Sequence, residues 1–497
     1  MSRKKLLLQV KNIEFHYGDQ QIIANPFSID IFSEDRIGVV GRNGEGKTTL
    51  LRLLAGELKP CRGKILRYCE IVFFNQISAQ STLNDERSNF SKIYAELCPF
   101  IFKEYKELSE GQKTRFRLAT ALANDSEIFF FDEPTTNLDI SGKTLLLQKL
   151  KSLQTDLLVC HDRSVLETCC NKILEVDTGT VHCFDGNYTR FLEEKKRFWI
   201  KQNKDYEAYI NEKKRLEIIY YQQLRQAAKI KKKPSDRGQQ KAGRRMGGRS
   251  EDTQQKSLQR AAKATTKRLE RLDVVEKPHE HSVLALDFCR NNFPANKFVI
   301  RVEGLTFGYG EKLVFQDASI LIKNGAHYAF LGENGVGKST LFHLITEGHS
   351  SISLAPKARI GYVSQTLTTI DFQKTVYENA TENSIYPTTF VRTILNRMLF
   401  SKGDLDKIGY VLSGGEQIRL ALAKLVLSNV NVLILDEITN YLDIPSIESV
   451  ESLLSAYPGT ILLASHDAEF VKKTATDYVR IQDRKLVYCY DEQGRKS

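Results

Sequence analysis

A glycine-rich pattern of eight residues occurs twice, as GRNGEGKT at Gly41 to Thr48 and as GENGVGKS at Gly332 to Ser339, 291 positions apart. Such a loop wraps backbone N–H groups around phosphate oxygens, in backbone conformations that side-chain-bearing residues rarely adopt. Gly41, Gly44 and Gly46 supply that freedom in the first copy, and Gly332, Gly335 and Gly337 in the second. Each loop then opens a helix whose N-terminal dipole favours an anion. Lys47 and Lys338 are placed to reach the β and γ phosphates, and Thr48 and Ser339 to hold magnesium. Asn43 and Thr49, with Asn334 and Thr340, complete the candidate ATP-binding positions of the two loops. One copy after an apolar strand is a hypothesis; two copies define an internal repeat.

The chain has 497 residues, which suits two similar units of about 200 residues each with a connector between them. Its nine cysteines form no CxxC pair and read as reduced thiols, and no histidine group has zinc spacing. No apolar run approaches the roughly 20 residues that cross a bilayer, and the opening MSRKKLLLQVKN is too short in its apolar part for a signal peptide. A soluble, cytoplasmic protein without a transmembrane domain is expected. Net charge is +11, but Glu193 to Lys277 alone carries 25 Lys and Arg against 12 Asp and Glu. The excess positive charge therefore belongs to the connector, and its partner should be polyanionic.

Three domains follow: an α/β unit at 1–190, a basic helical linker at 191–278, and a second α/β unit at 279–497. Apolar runs at Ile128 to Phe131 and Leu157 to Cys160 read as buried parallel strands, with counterparts at Tyr328 to Leu331, Val432 to Leu435 and Ile461 to Ala464. Shorter strands are expected around Leu7 to Val10 and Ile37 to Val40. In the linker, Trp199, Tyr206, Ile210, Leu216, Tyr220 and Leu224 fit one face of a helix. Leu258, Ala262, Thr265, Leu269 and Leu272 alternate in steps of four and three, a coiled-coil seam. The two helices are expected to pack as an antiparallel hairpin, broken at Pro234 to Ser250 by a basic, glycine-rich tip.

Both α/β units continue with the same order of motifs. LSEGQ at Leu108 to Gln112 precedes Asp132-Glu133, and LSGGE at Leu412 to Glu416 precedes Asp436-Glu437. The aspartates would bind magnesium through water, and the glutamates would polarise the attacking water. TNLD and TNYLD follow, and then His161 and His466, each before an aspartate. This order resembles the ATP-binding cassette ATPases over almost everything outside the connector. The resemblance implies two P-loop NTPase cassette domains joined by an α-helical coiled-coil hairpin, with ATP and Mg2+ as cofactors. It assigns catalysis to Glu133, Glu437, His161 and His466, and magnesium sensing to Gln76 and Gln365 beside Thr48, Asp132, Ser339 and Asp436. Tyr17 and Tyr309 are placed to stack on adenine, with a buried strand aromatic as the competing reading.

In such ATPases the units face head to tail, so Lys47 should work with Ser413, Gly414 and Gly415, and Lys338 with Ser109 and Gly111. Glu110 departs from the family glycine, and a carboxylate there would oppose the γ-phosphate while its Cβ restricts backbone approach. Unequal sites are expected. Ile438 departs from the usual proline.

Two fused cassettes joined by a basic helical hairpin resemble the ABC-F proteins, which act on ribosomes. SISLAPKARIGYVSQ, FVRTILNRMLF and RLERLDVVEKP narrow the likeness to the Vga-type antibiotic-resistance branch. That likeness implies ATP-driven displacement of lincosamides, pleuromutilins and streptogramin A from the ribosome. The connector would reach the exit site, contacting rRNA and P-site tRNA, with Arg244, Arg245, Met246 and Arg249 closest. The 32 residues between Gln76 and Ser109 leave little room for the arm insertion of housekeeping relatives, and the 31 residues after His466 are too few for the C-terminal extension of some branch members. A monomer whose two ATPase domains pair with each other is expected.

Overall fold

A computed structural model describes residues 4–18, 20–75, 90–98, 105, 108–136, 138, 140–231, 251–272, 288, 294–333, 335–364 and 369–489. Gln76, Gln365, Asn334 and the tip residues Arg244, Arg245, Met246 and Arg249 lie outside the described residues.

Each half is built around a six-stranded sheet. In the first half the order is Ile71–Phe74, Ile128–Asp132, Asp156–Val159, Arg36–Gly41, Lys172–Asp177 and Thr180–Asp185. The first five run parallel and the last pairs antiparallel. The second half repeats the order with Ile360–Val363, Val432–Asp436, Thr460–Ala464, His327–Leu331, Asp477–Gln482 and Lys485–Cys489. Continuous apolar runs fit strands covered on both faces, and Ile128–Asp132 and Val432–Asp436 are buried at every position. The P-loops, the Asp-Glu pairs and the two histidines follow the carboxyl ends of these strands, where an open α/β sheet places its ligands.

A three-stranded antiparallel sheet accompanies each core, Gln20–Phe32, Leu6–Tyr17 and Arg62–Arg67 in the first half. The opening strand is longer than the apolar run Leu7 to Val10 predicts, because it pairs on both sides and carries register shifts out to Tyr17.

The contact pattern divides the chain into two units, Met1–Phe191 with Val283–Ser497, and Leu192–Ser282. Both sheets thus belong to one unit. The other unit contains most of a 44-residue helix, Tyr188–Lys231, and a 20-residue helix, Glu251–Glu270. Leu216, Ala262 and Thr265 are buried, and the Thr265 hydroxyl donates to Gln223 Oε1 at 3.2 Å. The seam is therefore partly polar. Trp199 and Leu224, predicted on the same face, are 38% and 40% exposed. At about 1.5 Å per residue the shorter helix reaches less than half the length of the longer one, so it cannot cover the face as far as Trp199.

Asp156 opens a central strand fully buried, and among the described residues neither of its carboxylate oxygens has a hydrogen-bond partner. Burial pushes its pKa up to about 7, against the pull of Arg36. A raised acid pKa means the folded state holds a proton that the unfolded chain has lost, so stability falls as pH rises from the ordinary carboxylate range to about 7 and then levels off. Urea unfolding at pH 5 and pH 8 should show the native protein losing up to about 3 kcal/mol more than Asp156→Asn over that interval. Equal losses in the two proteins would contradict this account.

Candidate active site

Gly46 and Gly337 make the sharp exit from each P-loop into its helix, with φ of 95° and 115°. A Cβ on Gly46 would stand 2.2 Å from Ile22 Cγ2, and one on Gly337 2.5 Å from Val314 Cγ1. The loop then curls around its own lysine. Lys47 Nζ donates to the carbonyls of Gly41 and Arg42 at 2.9 and 3.0 Å, and Lys338 Nζ to those of Gly332 and Glu333 at 2.8 and 3.4 Å. Burial lowers the Lys47 pKa, while Glu133, Asp443, Glu45 and Asp132 act to raise it.

The two glutamates after the central strands adopt left-handed backbone, with φ of 48° at Glu133 and 54° at Glu437. Their amides donate to the carbonyls of Val159 and Ala464, both at 2.9 Å, which pins them to the neighbouring strand. That turn aims each carboxylate at the histidine beyond the neighbouring strand: His161 Nε2 lies 3.2 Å from Glu133 Oε1, and His466 Nε2 lies 3.1 Å from Glu437 Oε1. Burial pushes both glutamates up, but the adjacent histidine and P-loop lysine overcome it, and both pKa values are lowered. Both stay carboxylates, as a group that orients water must.

Magnesium needs oxygen ligands and keeps several waters. Asp132 faces the Thr48 hydroxyl, and Asp436 faces Ser339 and accepts from the Tyr362 hydroxyl at 3.1 Å. Asp436 Oδ1 and Glu437 Oε2 are buried without a hydrogen-bond partner among the described residues. One hydroxyl, one carboxylate with a spare oxygen, and phosphate oxygens match the ion. Burial raises the pKa of both aspartates, as expected of acids awaiting a cation.

The halves meet at the first P-loop. The Asn43 amide donates to Asp443 Oδ2 at 2.7 Å, and Asn43 Nδ2 reaches the Tyr441 carbonyl at 3.4 Å. Asp443 is also the N-cap of the helix Ile444–Ala456, accepting from the Ser446 amide at 2.9 Å. A cleft of 590 Å³ opens here, lined by Tyr17, Asn43, Gly44, Gly46, Lys47, Thr48, Thr49, Glu133 and His161 from the first half and by Ser413, Gly414 and Gly415 from the second. It also takes in Thr136 from TNLD, Asn440 and Tyr441 from TNYLD, and Gln20 and Ile22, to which no sequence motif pointed. For the reciprocal site, Ser109 caps its helix in a box with Gln112, and Gly111 lies in its first turn, while Asp139 and Asn334 lie outside the described residues.

One competing reading closes, and two departures from the family pattern gain a structural setting. Tyr17 and Tyr309 are 43% and 61% exposed, so they are not buried strand aromatics. Ile438 fills the second core at 2% exposure. Glu110 pairs with Lys113 at 2.7 Å with its side chain 64% exposed, and a Cβ on its counterpart Gly414 would meet nothing within 4 Å. Glu110 therefore fits the start of its own helix, with Lys113 as the partner of its carboxylate.

A family model described as ABC transporter matches residues 24–100 and 315–440. Over 457 residues the chain is 32% identical to the erythromycin resistance ATP-binding protein MsrA of Staphylococcus epidermidis, covering 88% of this chain and 90% of that one. The chain belongs to the ABC-F family of ATPases. This ABC-F ATPase hydrolyses ATP, the activity carried by its two cassettes. It is also 29% identical over 489 residues to the ribosome protection protein VmlR of Bacillus subtilis (strain 168), covering 96% of this chain and 87% of that one. A solved structure titled RNase-L Inhibitor superposes with a TM-score of 0.61 at 18% identity, over 93% of this chain and 87% of that one, a likeness of fold. No described helix of the ABC-F chain is long and apolar enough to cross a membrane.

Gly414 and Gly415 separate packing from chemistry. A Cβ on Gly415 would stand 2.8 Å from the Tyr441 carbonyl oxygen, whereas Gly414 has open space. Without nucleotide, Gly415→Ala should lower the melting temperature by several degrees, about 1–3 kcal/mol of overpacking, and Gly414→Ala should leave it within experimental error. Equal effects would show that the described approach of Tyr441 does not limit this position.

Proposed function

We propose that this ATPase acts on the ribosome and displaces antibiotics of the lincosamide, pleuromutilin and streptogramin A type. What carries the reading is the separation of labour in the chain: an ATPase unit with both cassettes, and a helical unit, Leu192–Ser282, within which the net positive charge is concentrated. A passive spacer needs no such asymmetry, and a basic arm is suited to RNA phosphates. The names of two relatives, a ribosome protection protein and an erythromycin resistance protein, support the same direction.

In this proposal each ATP lies between one P-loop and the other half's signature: Lys47 works with Ser413, Gly414 and Gly415, and Lys338 with Ser109 and Gly111. Tyr17 and Tyr309 stack on adenine. Glu133 and Glu437 orient water, with His161 and His466 sensing the γ-phosphate, and Gln76 and Gln365 join the magnesium shell. ATP binding closes the halves and directs the arm toward the exit site, where Arg244, Arg245, Met246 and Arg249 approach rRNA and P-site tRNA. Hydrolysis reopens the halves. The protein works as a cytoplasmic monomer.

Pelleting with ribosomes in ATP tests the class. A Glu133→Gln, Glu437→Gln protein should sediment with ribosomes, and the bound fraction should fall steeply with added salt. Replacing Pro234 to Ser250 by a Gly-Ser loop of equal length should abolish drug protection in cells while ATP turnover persists. Retained protection would exclude the arm's role, and a growth defect without drug sensitivity on deletion would favour a translation factor. The two glutamates should also differ when substituted singly, because Glu110 faces only one site; equal turnover losses would remove that asymmetry.

A further inference from the structure

The two catalytic histidines sit on loops that are equivalent in sequence but not in their contacts. Lys143 lies ten residues beyond Glu133, in the helix Ile140–Ser152, and ten residues beyond Glu437 the second half has Ile447. Lys143 Nζ donates to Asp162 Oδ2 at 2.8 Å and to the His466 carbonyl at 3.2 Å. One ammonium therefore holds the residue after His161 and the backbone of His466 itself. Its side chain is 18% exposed, and burial, which would lower its pKa, is outweighed by Asp162, Asp467 and Cys160, so the charge is retained.

The surroundings reinforce this placement. Lys143 borders a small pocket of 50 Å³ that runs from Glu133 and His161 in the first half to Asn440, Ile447 and Asp467 in the second. Beside it, Arg163 forms a buried ion pair with Glu451, joining the helices Arg163–Cys169 and Ile444–Ala456. This contact is one-sided too, since Ala468 and Leu147 occupy the equivalent positions. Arg163 and Glu451 clamp the interface, but Lys143 alone of the three touches both histidine loops.

We infer that Lys143 is a positioning residue that couples the two ATP sites, by making the place of the His466 loop depend on that of the His161 loop. An ammonium has three donors and no acceptor, so it bridges two fixed oxygens without needing either loop to supply a proton. When one loop shifts as its γ-phosphate is lost, Lys143 must lengthen one of its two bonds or draw the other loop along. The apolar Ile447 cannot make the mirror contact. The inference rests on reading both sites as hydrolytic.

The test measures ATP turnover by the full-length chain carrying Glu133→Gln, Glu437→Gln, both or neither, each with Lys143 or Lys143→Met. With Lys143 present, either single substitution should reduce turnover by far more than its own site's share, a coupling of about fivefold or more. With Lys143→Met, the turnovers of the two single variants should sum to that of their parent, and Lys143→Arg should restore the coupling. Melting curves check that each variant is folded, and Lys143→Gln replaces Lys143→Met if the latter is not. Coupling that survives the loss of Lys143, or additivity already present with Lys143, would overturn the inference. Turnover that persists unchanged in the Glu133→Gln, Glu437→Gln protein would instead overturn the reading of the sites, whatever Lys143 does.

Discussion

The hydrogen bond from the Asn43 amide to the Asp443 carboxylate, 2.7 Å long, joins the first P-loop to the second half beside the cleft that both halves line. It costs little to maintain, because Asp443 already serves as a helix cap and its charge is already solvated by the Ser446 amide. Asn43 and Ser446 hold its pKa below the ordinary value although burial acts to raise it. A carboxylate preorganised by its own helix can thus receive a second amide from the other half without paying again for desolvation. Ile444, the next residue, packs into the hydrophobic cluster of the first half and adds apolar contact to the polar one.

Charge is arranged around that seam so that ATP and magnesium complete it. Lys47 and Lys338 are turned toward backbone carbonyls, and the buried acids Asp132 and Asp436 have raised pKa values. Such a cluster is uncomfortable alone and relaxed by a cation bound to a polyphosphate. The strained backbone of Glu133 and Glu437 belongs to the same design, since a left-handed turn at the strand end is what points each carboxylate toward its histidine.

Within the catalytic unit, what could be read in advance was whatever depends on neighbours in sequence. The P-loops needed glycine at Gly46 and Gly337 because of local backbone conformation, and the strands ending at Asp132 and Asp436 were visible as unbroken apolar runs. Gln20 and Ile22 line the cleft without belonging to any motif, because they arrive there from a strand of the antiparallel sheet. The setting of Glu110 was hidden for a related reason: only its position at the start of a helix, beside Lys113, shows what its carboxylate pairs with. In the helical unit, seven-residue spacing marked Ala262 and Thr265 correctly as buried, yet could not tell that the partner helix is too short to reach Trp199.

Two ATP-hydrolysing cassettes and a basic helical connector were determined by the sequence alone, since phosphate cradles, buried strands and charge density are properties of short segments. The pairing of Asn43 with Asp443, and of Lys143 with Asp162 and the His466 carbonyl, was decided only by the tertiary structure. These bonds span up to 400 positions of chain, and no local rule of composition or period acts over such a distance. The Lys143 bonds break the symmetry that the duplicated motifs suggest, because Lys143 lies outside those motifs and Ile447 stands at its counterpart.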